Sequence, residues 1–339
     1  MTIPTPGSRP LHGLTLALAL LISAACDSDG AESRAPAREP ARDAAGAAVS
    51  AESPVHVTLR DSGMVATLGG GRWRAGSTTT YLDLSPDGRS IAATSTGTRT
   101  AYLLDSASGR VRDSVRVGAS PKGIRFAPDG ERVLVANEED GTVAVLQLDP
   151  LRWTDTIPVG PVPHNIDFDP EGERAYVTIQ DGDRIAVIDL ARLVVVDSIP
   201  IAGKPHNLAV TPDGSTLWVA LIGTQQAAAI DLRTDSVVGR VPISAPHYGI
   251  DVSPDGRWVF ATGVGGRVLN VIDARRMERV AQVEVGQGPH GVRTSGAGAS
   301  VYVAVTGTHE LVVVDPASRR VVRRVPMPGT PFWVAVGRR

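Results

Sequence analysis

Short runs of alternating apolar and polar residues fill the chain from residue 55 to its end. Turns rich in Pro, Gly and Asp separate these runs, and runs of this kind predict β-strands. A Pro-centred turn recurs every 42 residues along them. The anchors of this turn are Pro86, Pro128, Pro170, Pro212, Pro254 and, in a decayed copy, Gly296. Five equal intervals indicate that one unit has been copied in tandem.

The unit that begins at Pro163 shows the pattern most clearly. A strand over residues 165–168 precedes the turn Asp-Pro-Glu-Gly, and strands over 174–180, 184–190 and 194–201 follow it. Four short strands joined by tight turns predict an antiparallel meander. A unit of this size cannot bury its apolar face alone, so neighbouring units must stack against each other.

Two positions of the repeat carry the same type of residue in most units. An aspartate ends the third strand 19 residues after the anchor, at Asp105, Asp189, Asp231, Asp273 and Asp315. These carboxylates are expected to form Asx turns with backbone N–H groups downstream. An aromatic side chain stands six residues after the anchor, at Tyr176, Trp218, Phe260 and Tyr302. We expect these rings to pack between adjacent units.

The number of units follows from the length of the repeat region. Residues 55–339 amount to about 6.8 periods of 42, so seven units fit if one is incomplete. The C-terminal Pro-Phe-Trp-Val-Ala-Val matches a first strand, whereas residues 55–59 and 64–68 match outer strands that lack an inner one. The two ends are therefore expected to form one blade together, which closes the ring and leaves no free edge.

Several repeats also carry a family signature. Tyr-Val-Thr-Ile at Tyr176, Trp-Val-Ala-Leu at Trp218 and Tyr-Val-Ala-Val at Tyr302 are each followed by a polar loop and a strand that ends in Asp. These units resemble the YVTN repeat of YncE-like periplasmic proteins and surface-layer proteins, over about residues 76–337. The resemblance implies an all-β, seven-bladed β-propeller of four-stranded antiparallel blades. It implies no single activity, because related propellers include cofactor domains, lactonases, lyases and binding modules.

In such a ring the first strand of each blade lines a central channel, and residues six before the anchors meet at one mouth of that channel. They are Thr80, Lys122, His164, His206, Tyr248, His290 and Phe332. Asn165 and Asn207 come one position later, and His247 lies beside the ring. Loops on the same face carry Glu138, Glu139, Asp140, Asp181, Asp183, His309 and Glu310.

Three interpretations of the histidine cluster remain open. The imidazoles can belong to the repeat consensus and bond to the backbone of each blade. They can form a ligand site for a small polar or anionic molecule, together with Lys122, Asn165, Asn207, His247 and Tyr248. His164, His206 and His290 can also hold a single divalent metal ion, as histidines of related propellers do. A full histidine ring is excluded because four of the seven ring positions hold other residues.

The N-terminal segments predict export. An apolar run over residues 14–25 is too short to span a bilayer and is typical of a signal peptide, here residues 1–25. Cys26, the only cysteine, follows Leu-Ile-Ser-Ala-Ala and resembles the lipidated cysteine of bacterial lipoproteins. Ser23 departs from the preferred Leu of that motif, so ordinary cleavage that leaves a free thiol is the alternative. Residues 26–54 have few large apolar side chains and are expected to be a disordered tether before the domain at 55–339.

The composition and the absence of known catalytic motifs limit the classes of function that the sequence supports. The formal net charge is −2 and the 34 Lys and Arg residues are scattered, so nucleic acid is not expected as the main partner. Nucleophile-elbow, Walker, HExxH and CxxC motifs are absent from the sequence. We therefore expect a monomeric, membrane-anchored lipoprotein that binds a small ligand, a metal or an envelope protein at the histidine-bearing mouth. The alternative is a metal-dependent hydrolase or lyase that acts on the same face.

Overall fold

Seven four-stranded antiparallel sheets form a closed ring, as the repeat predicts. The structure is a computed structural model that describes residues 54–244 and 249–337. The predicted signal peptide, Cys26 and the tether up to residue 53 lie outside the described residues, as do His247 and Tyr248. In the part of the chain that is described, no helix has the length and apolar character needed to cross a bilayer.

The strands are numbered in chain order and the blades in order around the ring. Blade 1 holds β28 (Pro331–Val336), β1 (Val55–Leu59), β2 (Met64–Thr67) and β3 (Arg72–Arg74). Blade 2 holds β4 (Thr79–Leu84), β5 (Ser90–Ser95), β6 (Thr100–Asp105) and β7 (Val111–Arg116). Blade 3 holds β8 (Pro121–Phe126), β9 (Arg132–Asn137), β10 (Thr142–Gln147) and β11 (Arg152–Pro158). Blade 4 holds β12 (Pro163–Phe168), β13 (Arg174–Ile179), β14 (Arg184–Asp189) and β15 (Val194–Pro200).

The remaining blades repeat the same order. Blade 5 holds β16 (Pro205–Val210), β17 (Thr216–Leu221), β18 (Gln226–Asp231) and β19 (Ser236–Pro242). Blade 6 holds β20 (Ile250–Val252), β21 (Trp258–Ala261), β22 (Val268–Asp273) and β23 (Glu278–Glu284). Blade 7 holds β24 (Pro289–Thr294), β25 (Val301–Val305), β26 (Glu310–Asp315) and β27 (Arg320–Pro326). Two 3-10 turns occupy Arg60–Ser62 and Gln180–Gly182.

The ring closes through the two ends of the repeat region, as predicted. The C-terminal strand β28 pairs with β1, with Val55 opposite Val336 and Val57 opposite Val334. The hydroxyl of Thr58 also accepts a 2.9 Å hydrogen bond from the backbone N–H of Trp333. Blade 1 therefore joins chain segments that are about 275 positions apart.

A β-bulge near the start of six of the seven first strands decides which side chains reach the mouth. In β12, Pro163 pairs with Ile179 and Ile166 with Val177, so two residues stand opposite Thr178 alone. A bulge re-aims side chains that strict alternation would send to opposite faces. The same irregularity occurs in β4, β8, β16, β24 and β28. It also explains why β12 begins two residues before the predicted strand.

The core lies between neighbouring blades. Trp218 of β17 is fully buried against Ile250 and Val259 of blade 6. Tyr176, Phe260 and Tyr302 occupy the equivalent interfaces of their own blades, so the predicted inter-repeat core is confirmed. The repeated aspartates form the expected turns: the carboxylate of Asp189, for example, accepts hydrogen bonds from the N–H groups of Ala191 and Arg192 at 3.0 and 2.8 Å.

Candidate functional site

A pocket of about 450 Å³ lies at the predicted mouth of the channel, and two rings of side chains line it. The first ring stands six residues before the anchors and contributes Thr80, Lys122, His164, His206, His290 and Phe332. The second ring stands beyond the end of each second strand. Glu138, Gln180, Val264 and Thr306 lie ten residues after an anchor, and Arg60 takes the equivalent place directly after β1. Tyr81 completes the lining. Six members of the predicted ring therefore share one pocket, and Tyr248 falls outside the described residues.

His164 is held from across the ring. Its Nε2 lies 2.7 Å from the phenol oxygen of Tyr81, which belongs to the second blade away. Gly123 of the intervening blade leaves room for this contact, since a Cβ there would lie 2.9 Å from the His164 carbonyl oxygen. Burial raises the pKa of Tyr81, although the nearby Arg293 opposes the shift, so the phenol stays protonated at neutral pH.

A chain of amides orients His206. The backbone N–H of Ile166 donates to Oδ1 of Asn165 at 2.8 Å, and Nδ2 of Asn165 donates to Oδ1 of Asn207. Nδ2 of Asn207 then donates to Nδ1 of His206 at 2.9 Å. Because Nδ1 accepts, a neutral His206 carries its proton on Nε2. The two predicted asparagines thus lie beneath the pocket wall and position a histidine that lines it.

His290 and Phe332 form an aromatic stack on the blade 7 and blade 1 side of the pocket. Their ring centroids are 3.8 Å apart, and the guanidinium of Arg60 lies 5.1 Å from the Phe332 centroid. Nδ1 of His290 donates to the carbonyl oxygen of Phe332 at 3.1 Å. This contact is the backbone bond expected from the consensus interpretation, and it fixes the tautomer because a carbonyl only accepts.

The charged groups of the pocket are paired but accessible. Nζ of Lys122 lies 3.0 Å from Oε2 of Glu138, and the same carboxylate oxygen lies 4.0 Å from Nδ1 of His164. Burial lowers the pKa of Lys122; the positive charge of Arg60 acts in the same direction, and Glu139 opposes both. Glu138, one of the predicted acidic loop residues, is therefore part of the pocket wall.

Threonines of the second strands hold the backbone of the first ring. Thr94 donates to the carbonyl oxygen of Lys122 at 2.9 Å, Thr178 to that of His206 at 2.8 Å, and Thr262 to that of His290. Each hydroxyl belongs to the preceding blade, and those of Thr94 and Thr178 stand opposite the bulge of their own blade. These contacts set the position of pocket residues on the next blade.

The channel beneath the pocket is filled by buried ion pairs. Arg125 lies 3.0 Å from Asp83 and 2.5 Å from Asp167, and all three belong to consecutive first strands. Burial opposes the charge of Arg125, but the two carboxylates outweigh this effect and raise its pKa. Arg293 occupies the equivalent place in blade 7, with its guanidinium 4.8 Å from the Trp333 ring.

Of the three pocket histidines, only His164 and His206 lie close together. The rings of His164 and His206 are 3.9 Å apart between centroids, whereas His290 stacks on Phe332. Within residues 54–244 and 249–337, no group of three or more His, Cys, Asp or Glu side chains is arranged to hold a metal ion. The described geometry therefore offers no support for a metal held by the three histidines.

A two-blade period in the sequence would have shown several residues that support the pocket. The threonines that hold the first ring recur every 84 residues, at Thr94, Thr178 and Thr262, with alanine in the blades between. Asp83, Asp167 and Asp251 recur at the same interval. Tyr81, Arg60, Gln180, Val264 and Thr306 line the pocket although the sequence analysis assigns them no role. The position ten after each anchor is the signal that would have located Gln180, Val264 and Thr306, whereas Arg60 has no anchor before it.

Comparison with known proteins gives two family matches. Residues 213–299 match the model of the YNCE-like β-propellers, and residues 74–241 match that of the 7-bladed lactonase β-propellers. No curated protein sequence matches this chain.

Solved structures share the fold. Hydrazine synthase of Kuenenia stuttgartiensis is 22% identical, with a TM-score of 0.70, over 77% of this chain and 90% of that chain. A functionally unknown protein of Desulfotomaculum acetoxidans is 15% identical, with a TM-score of 0.73, over 84% and 99%. The dihydro-heme d1 dehydrogenase NirN, in complex with DHE, is 19% identical, with a TM-score of 0.64, over 83% and 74%. At these identities the likeness shows the fold alone. Together with the repeat and the closed ring, the two family matches show that the chain is a seven-bladed β-propeller similar to the YNCE-like and the lactonase propellers.

Proposed function

We propose that this propeller binds a small organic anion in the pocket at the channel mouth, without catalysing a reaction on it. The observation that carries the proposal is the composition of the pocket wall. Lys122 and Arg60 are the cations of the lining, neutral His206 carries a hydrogen-bond donor on Nε2, and Glu138 is the one carboxylate among the lining residues. A concave site with a few convergent polar groups on a mostly apolar wall is typical of ligand pockets.

Charge favours an anion over a cation. Lys122 and Glu138 neutralise each other at 3.0 Å, so the charge that remains among the lining residues is that of Arg60, whose exposed partner Asp61 lies outside the lining. A carboxylate therefore finds a hydrogen-bond donor and an excess of positive charge in the wall.

The rest of the wall suits a flat apolar group. Phe332 is stacked on His290, and Val264 and Tyr81 complete an apolar surface beside the cations. A ligand with a carboxylate at one end and a planar apolar part at the other satisfies both halves of the pocket.

A metal-dependent hydrolase or lyase is the second hypothesis, favoured by the match of residues 74–241 to the lactonase propellers. Such chemistry requires a group of metal ligands, and the described residues contain no such group of three. Metal analysis of untagged protein separates the two hypotheses, because a stoichiometric divalent ion supports the enzyme and an empty site supports the binding protein.

We also propose a cellular location for the protein. The signal-like segment at residues 1–25, followed by Cys26, supports an exported lipoprotein that carries the propeller on a tether outside the cytoplasmic membrane. Mass spectrometry of the N-terminal peptide from the native envelope tests this part, since a diacylated Cys26 and an unmodified one differ in mass.

Benzoate is the simplest probe of the binding site, because it joins a carboxylate to a flat ring. Isothermal titration at pH 6 should show saturable binding of benzoate and much weaker binding of benzamide, its neutral analogue. Lys122→Met should weaken benzoate binding by roughly 10- to 100-fold, the usual value of one charged hydrogen bond. His309→Ala, in an exposed loop on the same face, should leave it unchanged. Equal binding of benzamide, or no binding of benzoate, would overturn the proposal.

A further inference from the structure

The outer strands of the propeller differ sharply in charge from one side of the ring to the other. In the adjacent blades 7, 1 and 2, strands β27, β3 and β7 carry seven arginines and a single carboxylate, Asp113. In blades 3 to 6, strands β11, β15, β19 and β23 carry three arginines and four carboxylates. Three consecutive blades thus form one strongly basic side of the ring, which we call the basic arc.

The arginines of the basic arc point to solvent, and several are not neutralised. All seven are exposed. Arg112 and Arg324 form ion pairs with Asp105 and Glu310. The other five arginines of the arc are Arg72, Arg74, Arg116, Arg320 and Arg323. No carboxylate among the described residues lies within salt-bridge distance of them. Unpaired, exposed guanidinium groups on one side create a positive field that attracts a polyanionic surface.

An exposed apolar side chain accompanies these charges. Val322, between Arg320 and Arg323 of β27, is 60% exposed, the highest value among the large apolar side chains of the described residues. Arginine beside an exposed apolar residue suits the boundary between lipid headgroups and acyl chains.

The position of the chain's N-terminal extension points to the same partner. Residues before Val55 lead into β1 of blade 1, the middle blade of the arc. A lipid anchor at Cys26, as the sequence predicts, would be attached to the propeller at this blade.

We propose that the basic arc docks side-on onto a bilayer rich in anionic phospholipid. Guanidinium groups bind phosphate bidentately and stay charged at every physiological pH. The outer strands lie farthest from the channel, so docking through them leaves the pocket on the axis open to solvent. The inference is independent of what the pocket binds.

Vesicle sedimentation tests this docking. The full chain with Cys26→Ser, which cannot be acylated, should bind vesicles of equal phosphatidylcholine and phosphatidylglycerol at low salt and bind pure phosphatidylcholine vesicles far less. Replacing Arg72, Arg320 and Arg323 by Gln should reduce the partition coefficient on the order of 100-fold, because each basic residue near an anionic surface contributes roughly 1 kcal/mol. Both proteins should melt at similar temperatures.

A matched variant removes the same charge elsewhere. Arg152, Arg240 and Arg279 lie exposed on the outer strands of blades 3, 5 and 6, and their replacement by Gln should leave vesicle binding within about twofold. Equal losses in the two triple variants, or equal binding to neutral vesicles, would contradict the proposal. So would self-association in light scattering that the first triple variant abolishes, since the arc would then bind a second copy of the chain.

Discussion

The phenol oxygen of Tyr81 lies 2.7 Å from Nε2 of His164, although the two residues belong to blades that are not adjacent. The contact passes blade 3, where Gly123 has no side chain; a Cβ there would lie 2.9 Å from the carbonyl oxygen of His164. The wall of the pocket is therefore held together across the ring as well as between neighbours. This arrangement makes the site sensitive to residues that no ligand touches.

Tyr81→Phe removes the hydrogen bond and keeps the ring. We expect the free energy of unfolding to fall by about 1 kcal/mol, because a buried imidazole nitrogen loses its partner phenol. Urea denaturation measures the change. The control is Tyr102→Phe, whose hydroxyl makes an exposed 3.4 Å contact with Thr98 and whose removal should cost less than about 0.5 kcal/mol. Equal effects of the two substitutions would show that the cross-ring bond contributes nothing.

Gly123→Ala places a methyl group where blades 3 and 4 meet. Its Cβ would lie 2.7 Å from Oδ1 of Asn165 and 2.9 Å from the carbonyl oxygen of His164. We expect a loss of about 1 to 3 kcal/mol and weaker benzoate binding, since the histidine backbone must shift. Gly329→Ala is the control, because a Cβ there meets Leu59 at an ordinary 3.4 Å. A Gly123→Ala protein as stable as the control would contradict the close packing described above.

Arg125→Met leaves two carboxylates in the channel without their shared cation. Asp83 and Asp167 lie 3.0 and 2.5 Å from the guanidinium, so we expect a loss of about 3 to 5 kcal/mol. The exposed pair of Arg233 and Asp231 provides the comparison, and Arg233→Met should change stability by no more than about 1 kcal/mol. Chemical denaturation of both variants measures the two losses of stability. Similar losses would mean that water reaches the channel and screens the buried ion pairs.

His56 gives the fold a dependence on pH. The side chain is fully buried in β1, with Nδ1 2.8 Å from the Thr67 hydroxyl, and burial lowers its pKa from 6.5 to about 4. The unfolded chain takes up a proton below pH 6.5 and the folded protein does not, so stability is lost as the pH falls from 6.5 towards 4. This group alone should make the protein about 2 kcal/mol less stable at pH 5 than at pH 7.

Denaturation curves at the two pH values test this in wild type and His56→Gln. The substitution should remove the contribution of His56 to the pH dependence, whatever its effect on stability at pH 7. His309→Gln, in an exposed loop, should keep the wild-type dependence. An unchanged dependence in His56→Gln would show that the imidazole is solvated in the folded state.

The sequence predicts the fold well because every repeat carries the same pattern of strands and turns. Strand period, turn residues and the aromatic six after the anchor agree in most copies, and the fragment at 55–68 shows how the ring closes. The interior of the site was harder to predict. The bulge that turns His164 towards the mouth has no residue signature, because Thr, Ala and Thr stand opposite it in successive blades. The contact between Tyr81 and His164 skips a blade, so a repeat analysis that compares neighbouring units does not show it.

The central claim is that the channel mouth binds a small organic anion. Crystals soaked with 4-bromobenzoate test it most directly, because the anomalous signal of bromine locates the probe without prior assumptions. We predict one dominant bromine peak inside the pocket, on the apolar side near Phe332, with the carboxylate directed to Lys122. Bromine peaks only on the outer surface of the blades, with the mouth holding water alone, would contradict the proposed function.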